Sequence, residues 1–311
     1  DIGLLVDQTL NSMITLNVLL AIPLFILTAN IMNASTISER LWTFANAVVG
    51  RLPGGHGHVT VMTNLIMSSM TGSAASDAAG AGMVAIKMMR KQGHYPRGLA
   101  VAVAASASLL GPLIPPSIPM VLYALISGAS IGALFLAGIV PGLLMALSIS
   151  ILILLIAKRR NLPRGEKVPF RQLPQAFGQA FVPLTLPVVL LGGIWGGVFT
   201  PTEAAAVAAF WAILIGAVWY RTLSVAGIAE AFRESGRQAS VVMLLLVSSF
   251  IVNFAITNEG LGDALSRWIA SLDLSPIAFL LLVNLMFLVL GTVLDAAVML
   301  LVFVPVLLPT V

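Results

Sequence analysis

Residues 108–120 read SLLGPLIPPSIPM and set Pro112, Pro115, Pro116 and Pro119 into an otherwise apolar run. Proline lacks the backbone donor that a helix uses, and its ring collides with the preceding turn. Inside a bilayer no water replaces the lost partner, so an unpaired backbone group is costly there. A membrane helix broken on this scale frees carbonyl oxygens, and something polar must use them. Whether the run lies in a membrane therefore decides how the whole chain is read.

Composition answers that. The 311 residues are 59% hydrophobic and only 9% charged, with a mean hydropathy of +1.04. Soluble domains carry about 25% charged residues, so this is an all-α, polytopic integral membrane protein embedded in a lipid bilayer. There is no cysteine, which excludes disulfide and thiolate chemistry. The net charge of +4 would suit nucleic acid. The basic residues sit in loops between apolar spans, however, where membrane orientation accounts for them, and nucleic acid is not an expected partner. No signal peptide is visible; the chain opens at Asp1 and closes within an apolar run. We expect one membrane domain, 1–311, incomplete at both ends.

Apolar spans of membrane length fall at about 13–33, 99–127, 131–157, 180–199, 204–220 and 238–257. Two further stretches, 59–86 and 277–311, carry an acid and a glycine near the middle and read as re-entrant hairpins. If each hairpin starts and ends on one side, 15 of the 16 Lys and Arg share a face and only Arg267 lies opposite. That face is cytoplasmic by the positive-inside rule. Thr200-Pro201-Thr202-Glu203 reads as a capping box that starts a helix. Residues 223–237 look amphipathic and are expected along the cytoplasmic interface. Lys158–Arg171 reads as a solvated loop. Gly138-X-X-X-Gly142 suits helix packing, within the chain or against a partner.

The chain also repeats itself. FILTANIMNAS (25–35) resembles VSSFIVNFA (247–255), and MTNLIMSSMTGSAASDAAG (62–80) resembles LVNLMFLVLGTVLDAAV (282–298). Asn33 and Asn253 are 220 residues apart, as are Asn64 and Asn284; Asp77 and Asp295 are 218 apart. Five crossings separate the copies, an odd number, so the copies run in opposite directions. This is an inverted-topology repeat with two re-entrant hairpins and broken helices, the plan of many secondary transporters. Repeat 1 covers about 13–127 with its hairpin at 59–90, connecting spans fill 131–237, and repeat 2 covers 238–311 with its hairpin at 277–311.

The expected site joins the first hairpin tip, SSMTGSAASDA (68–78), to the proline break, GPLIPPS (111–117). Glycine permits close backbone approach, the hydroxyl residues supply neutral oxygens, and the break frees carbonyls. Such oxygens suit a hard cation of low charge such as Na⁺, and half-helix N-termini can face an anion. Asp77 and Asp295 are the carboxylates placed within membrane-embedded structure. They are functional candidates by default, with two roles open: contacting an ion, or accepting backbone N–H groups at the start of a half-helix.

LLAIPLFILTANIMN, TGSAASDAAGAG, GPLIPPSIPMVLYALISGASIGALFLAGIVPGLL and GGVFTPTEAAAVAA resemble the large membrane subunit of TRAP (tripartite ATP-independent periplasmic) transporters, over nearly the whole chain. The resemblance implies an elevator-type fold like that of the ion-transporter superfamily. It further implies Na⁺-coupled symport of small organic anions, such as dicarboxylates or sialic acids, across the bacterial inner membrane. Its partners would be a periplasmic substrate-binding protein and a small four-helix membrane subunit, separate or fused. Carried over by resemblance, a first Na⁺ site falls on Ser69, Gly72 and Ser73 with Gly111, Ile114 and Pro116. A second falls on Gly291, Thr292 and Asp295. Substrate lies near Ser73, Ala74, Pro116 and Ser117, and Asp77 supports the ion. Two departures stand out. Ala74 occupies a position where the family commonly has serine, and the family's second broken helix would follow residue 311.

Three rival readings fit parts of the sequence. A stand-alone Na⁺-coupled carboxylate carrier would share the architecture without the binding protein. A passive channel fits polar tips but not alternating access. An intramembrane aspartyl protease would use Gly260-Leu261-Gly262-Asp263, yet Asp263 has no partner Asp in a neighbouring span. The expectation is a transporter and not an enzyme, with no catalytic residues.

Overall fold

A computed structural model describes residues 17–91, 95–165, 173–260, 267, 271 and 275–307. Among these no strand forms; an isolated bridge joins Pro53 to Arg164. A 3₁₀ turn, Asn17–Leu20, leads into α1 (Ala21–Ala34), which bends by 74° into α2 (Ile37–Val49). The first hairpin pairs α3 (Gly55–Thr71) with α4 (Ala74–Asp77), which runs on through a π-helical turn, Ala78–Gly82, into α5 (Met83–Lys91). Then come α6 (Arg97–Ser108), α7 (Ile118–Ser127), α8 (Ile131–Arg160), α9 (Leu173–Trp195) and α10 (Pro201–Leu214). The chain closes with α11 (Val225–Asn258), α12 (Pro276–Leu290) and α13 (Ala296–Leu307).

The expected span 99–127 is thus two helices on either side of the proline break. The capping box forms: Glu203 accepts from the Thr200 amide at 2.8 Å, and Thr200 Oγ1 accepts from the Glu203 amide at 3.3 Å. Of residues 223–237, 225–237 form the first part of the 34-residue α11 and run on without a break into the apolar stretch 238–257. No proline interrupts the stretch, so the helix has no reason to stop; at 1.5 Å per residue it is about 51 Å long, well beyond a hydrocarbon core of about 30 Å. The Lys158–Arg171 loop is not wholly solvated either. The Gly165 amide donates to the Gly50 carbonyl at 2.9 Å and ties the loop to the entrance of the first hairpin. Residues 166–172 lie outside the described residues, as do Asp1, Asp7, the 13–16 start of the first span, Gly262 and Asp263 of the protease-like motif, Asp273, and the 308–311 end of the second hairpin.

Two buried clusters hold the helices. The first centres on α1, with Phe25, Ile31 and Met32 packed against the alanine face of α10, Ala204, Ala205, Ala208, Ala209 and Ala212. Without a hydrophobic drive between helices in lipid, such small residues let backbones approach and gain dispersion contact. The second gathers Val59, Ala85, Met89, Tyr95, Ala107, Ile114, Ala146 and Ile153 from the first hairpin, α6, the break and α8. Outside, Leu136, Val140, Leu143, Leu144, Leu147, Ile151, Leu152 and Leu155 expose a continuous apolar face of α8. A contiguous surface of this kind marks contact with a membrane or a partner.

Gly138 and Gly142 pack inside the chain. A Cβ on Gly138 would lie 2.8 Å from the Leu113 carbonyl, and one on Gly142 would lie 2.2 Å from Ile114 Cδ1. The glycine groove of α8 is therefore the seat of the proline-broken segment. Filling it overpacks a tight contact, which costs about 1–3 kcal/mol. Gly142→Leu should accordingly lower the melting temperature in detergent, and an unchanged midpoint would mean that α8 does not seat the break.

Candidate functional site

The first hairpin tip and the proline break meet directly. At the tip, α3 ends on Gly72 in the left-handed region (φ +64°), and Ser73 caps α4 by accepting from the Ser76 amide at 3.4 Å. At the break, Ser117 caps α7 by accepting from the Met120 amide at 3.3 Å, and its own hydroxyl donates to the Pro112 carbonyl. One main-chain bond joins the two: the Ile118 amide donates to the Gly72 carbonyl at 3.2 Å. Glycine is required at both points of approach. A Cβ on Gly72 would sit 2.6 Å from the Pro116 carbonyl oxygen, and one on Gly111 would sit 2.8 Å from Asp77 Oδ2 and from the Ser73 carbonyl carbon. The Pro115–Pro116 peptide is cis.

Asp77 lies at the centre of this junction and is fully buried. Its Oδ2 accepts from Ser68 at 2.8 Å and its Oδ1 from Thr71 at 2.5 Å, so the carboxylate clasps the last turn of α3 to α4. This corrects the expected alternative of backbone capping: hydroxyls supply the donors. The two ion pairs among the described residues, Arg233–Glu230 and Arg237–Glu234, both lie on α11 and neither reaches Asp77. Burying a carboxylate costs several kcal/mol even after relaxation, whereas hydrogen bonds to a charged group return about 1.5–3 kcal/mol each. The two hydroxyls roughly balance the burial and leave little over. Among the described residues no three His, Asp or Glu side chains cluster as a metal-ligand set. The donors available at the junction are main-chain and hydroxyl oxygens.

The structure thus brings together Gly72, Ser73, Ala74, Asp77, Gly111, Pro116 and Ser117. Ser73 and Ala74 remain half-buried, while Pro116 and Ser117 are buried beneath the tip. The Ile114 side chain turns away to Gly142. Ser69 lies on another flank. Its hydroxyl donates to the Ile66 carbonyl at 2.6 Å, and it lines an apolar cavity of about 250 Å³ with Ile114, Pro115, Leu143, Leu184 and Leu191. A larger groove of about 620 Å³ lies between Glu39 and the basic face of α5 and includes no tip residue.

In the second hairpin Asp295 takes the backbone role, accepting from the Ala297 amide at 2.8 Å to cap α13. Thr292 donates to the Val289 carbonyl at 2.7 Å, and Gly291, Thr292 and Asp295 are exposed. The two repeats share a contact at their asparagines. Asn33 Nδ2 donates to the Ser76 carbonyl at 3.2 Å, and Asn253 Nδ2 to the Leu301 carbonyl at 3.0 Å, each reaching from an earlier helix into the second arm of a hairpin. Sequence reasoning missed Ser68 and Thr71 as partners of Asp77. Their spacing signals nothing until the chain reverses at Gly72.

Removing the buried partner would leave two hydroxyls unsatisfied. Asp77→Leu should destabilise the protein by about 1–3 kcal/mol per orphaned group, with Ser68→Ala/Thr71→Val in the same chain recovering part of the loss. The cycle is read from chemical or thermal unfolding, and an absence of recovery would exclude the clasp.

Over residues 2–311 the chain matches the family described as tripartite ATP-independent periplasmic transporter, DctM component. It is 40% identical over 291 residues to a sialic acid TRAP transporter large permease protein of Vibrio cholerae, covering 94% of this chain and 68% of that one. It is 35% identical over 291 residues to a C4-dicarboxylate TRAP transporter large permease protein of Pseudomonas aeruginosa, covering 94% and 68%. To a 2,3-diketo-L-gulonate TRAP transporter large permease protein of Escherichia coli it is 38% identical over 293 residues, covering 94% and 69%. The tip, the proline break and the repeated asparagines thus sit in a chain that belongs to the large permease family of TRAP transporters.

Proposed function

We propose that the protein is the large membrane subunit of a Na⁺-coupled, binding-protein-dependent importer of small organic anions, working by an elevator motion in the bacterial inner membrane. The observation that carries this reading is the joining of the first hairpin tip to the proline break through Ile118 and Gly72, around a buried carboxylate with no cationic partner among the described residues. Carbonyl oxygens of the tip and the break would hold Na⁺, with Asp77 as the nearby negative charge. The turn at Gly291, Thr292 and Asp295 would contribute to a second ion. A periplasmic substrate-binding protein would deliver the solute, and a small membrane subunit would support the permease.

The solutes named for the relatives, sialic acid, C4-dicarboxylates and 2,3-diketo-L-gulonate, all carry a carboxylate. Two serine-capped helix starts, α4 and α7, converge at the junction, and helix N-termini favour anions. The half-buried Ser73 and Ala74 are the parts of this junction open to a solute. Coupling follows if Na⁺ binds more tightly to the state in which tip and break are closed on each other; that difference in affinity is the coupling free energy.

The test is thermal stability against Na⁺, with K⁺ or choline holding ionic strength constant. A ligand specific to the folded state adds about 2.7 kcal/mol at a hundredfold excess over its Kd. We expect a saturating, Na⁺-specific rise that vanishes in Gly72→Val, together with loss of Na⁺-driven sialic acid or dicarboxylate uptake in Ser73→Leu. Equal melting curves in Na⁺ and K⁺ would reject the ion assignment, and full uptake by Ser73→Leu would reject the solute position.

A further inference from the structure

Helix α13 carries Pro305 four residues after Leu301. In an unbroken helix the residue-305 amide would donate to the Leu301 carbonyl. Proline has no such amide, and its ring presses that carbonyl aside. Leu301 is 2% exposed, so water is not available to take the donor's place. Two side chains of α11 take it instead: Ser249 Oγ donates to the Leu301 carbonyl at 2.6 Å and Asn253 Nδ2 at 3.0 Å. The two are one turn apart on α11 and touch each other, Asn253 Nδ2 to Ser249 Oγ at 3.3 Å.

We propose that Ser249 and Asn253 are positioning residues that stand in for the missing amide of residue 305 and thereby fix where α13 lies against α7. Helix α13 packs on α11 along one side and on α7 along another, so the clasp sets the placement of an element between two neighbours. Its N-terminus is the Asp295 cap, and α7 begins at Ser117 beside the first hairpin tip. A shift of α13 therefore moves the second tip relative to the first. This functional consequence rests on the ion assignment proposed above; the clasp itself does not.

The first repeat applies the same device. Asn33 donates to the Ser76 carbonyl next to the π-helical turn Ala78–Gly82, and Gly80 makes room for it, since a Cβ there would lie 1.8 Å from Asn33 Oδ1. A π-helical turn also interrupts the regular ladder. The carbonyl stands one residue before Asp77 in one repeat and six after Asp295 in the other. What recurs is the device, an asparagine serving the hairpin's second arm near an interruption, and not the register.

The deciding experiment uses the full chain in four forms: wild type, Ser249→Ala/Asn253→Leu, Pro305→Ala, and all three substitutions together. Amide hydrogen exchange over 296–307 and the half-saturating Na⁺ concentration for thermal stabilisation are measured on each. The double variant should exchange about tenfold faster over this segment, consistent with the loss of buried hydrogen bonds, and need several-fold more Na⁺. Pro305→Ala supplies the absent amide, so in the triple variant both quantities should return to those of Pro305→Ala alone. Unchanged exchange in the double variant, or no recovery in the triple, overturns the proposal. Should the double variant fail to fold, Ser249→Ala with and without Pro305→Ala makes the same comparison at smaller size. A wild type indifferent to Na⁺ would remove the ion reading, while the exchange measurements would still decide the clasp.

Discussion

Every break in this molecule is constrained by one requirement: a backbone carbonyl or amide buried away from water must find a partner inside the protein. The fold is organised around places where the helical ladder is cut and the loose groups are taken up. The proline break is closed by Ser117 on Pro112 and by Ile118 on Gly72. The carbonyl opposite Pro305 is served by Ser249 and Asn253. Prolines and glycines make the interruptions, and serines and asparagines repair them, from within the break at Ser117 and from a neighbouring helix at Ser249, Asn253 and Asn33. Where a repair reaches across elements, it also fixes their relative placement.

Much of this was legible in the sequence, for a physical reason in each case. The four-proline run cannot be helical throughout, so the split of 99–127 followed. Asn33, Asn253, Asp77 and Asp295 stood out because polar residues are rare in lipid-embedded helices, and all four make main-chain or hydroxyl contacts at or near a hairpin's second arm. The capping box at Thr200–Glu203 is local, and local chemistry reads well. What was not legible depends on chain reversal or on continuity. The clasp of Ser68 and Thr71 on Asp77 needs the turn at Gly72. The merging of 225–237 into α11 was hidden because an amphipathic segment and an apolar one look separate in composition, although nothing between them stops a helix. The hydroxyl of Ser69 left the tip because adjacent residues on a helix point about 100° apart, so Ser68 and Ser69 cannot share a target.

The two repeats, alike in sequence landmarks, differ in what their acids do. Asp77 is fully buried and holds two hydroxyls, whereas Asp295 is exposed and caps a helix through a backbone amide. A similar sequence pattern therefore serves two situations: an enclosed acid held by two hydroxyls, and an open one engaged with a helix end. The asparagines are the more alike pair, each donating to a main-chain carbonyl.

The glycine seat on α8 has a mechanical consequence. Gly138, Gly142 and the buried Ala146 follow one another at four-residue spacing along one helical edge. Ile114 now rests on the middle of the three. An edge of this kind is a toothed rail: at four residues and 1.5 Å per residue, its low points recur about 6 Å apart along the axis. The broken segment fills two of these low points at once, Met120 and the Leu113 carbonyl at Gly138 and Ile114 at Gly142, so α8 keys its axial position as well as its distance.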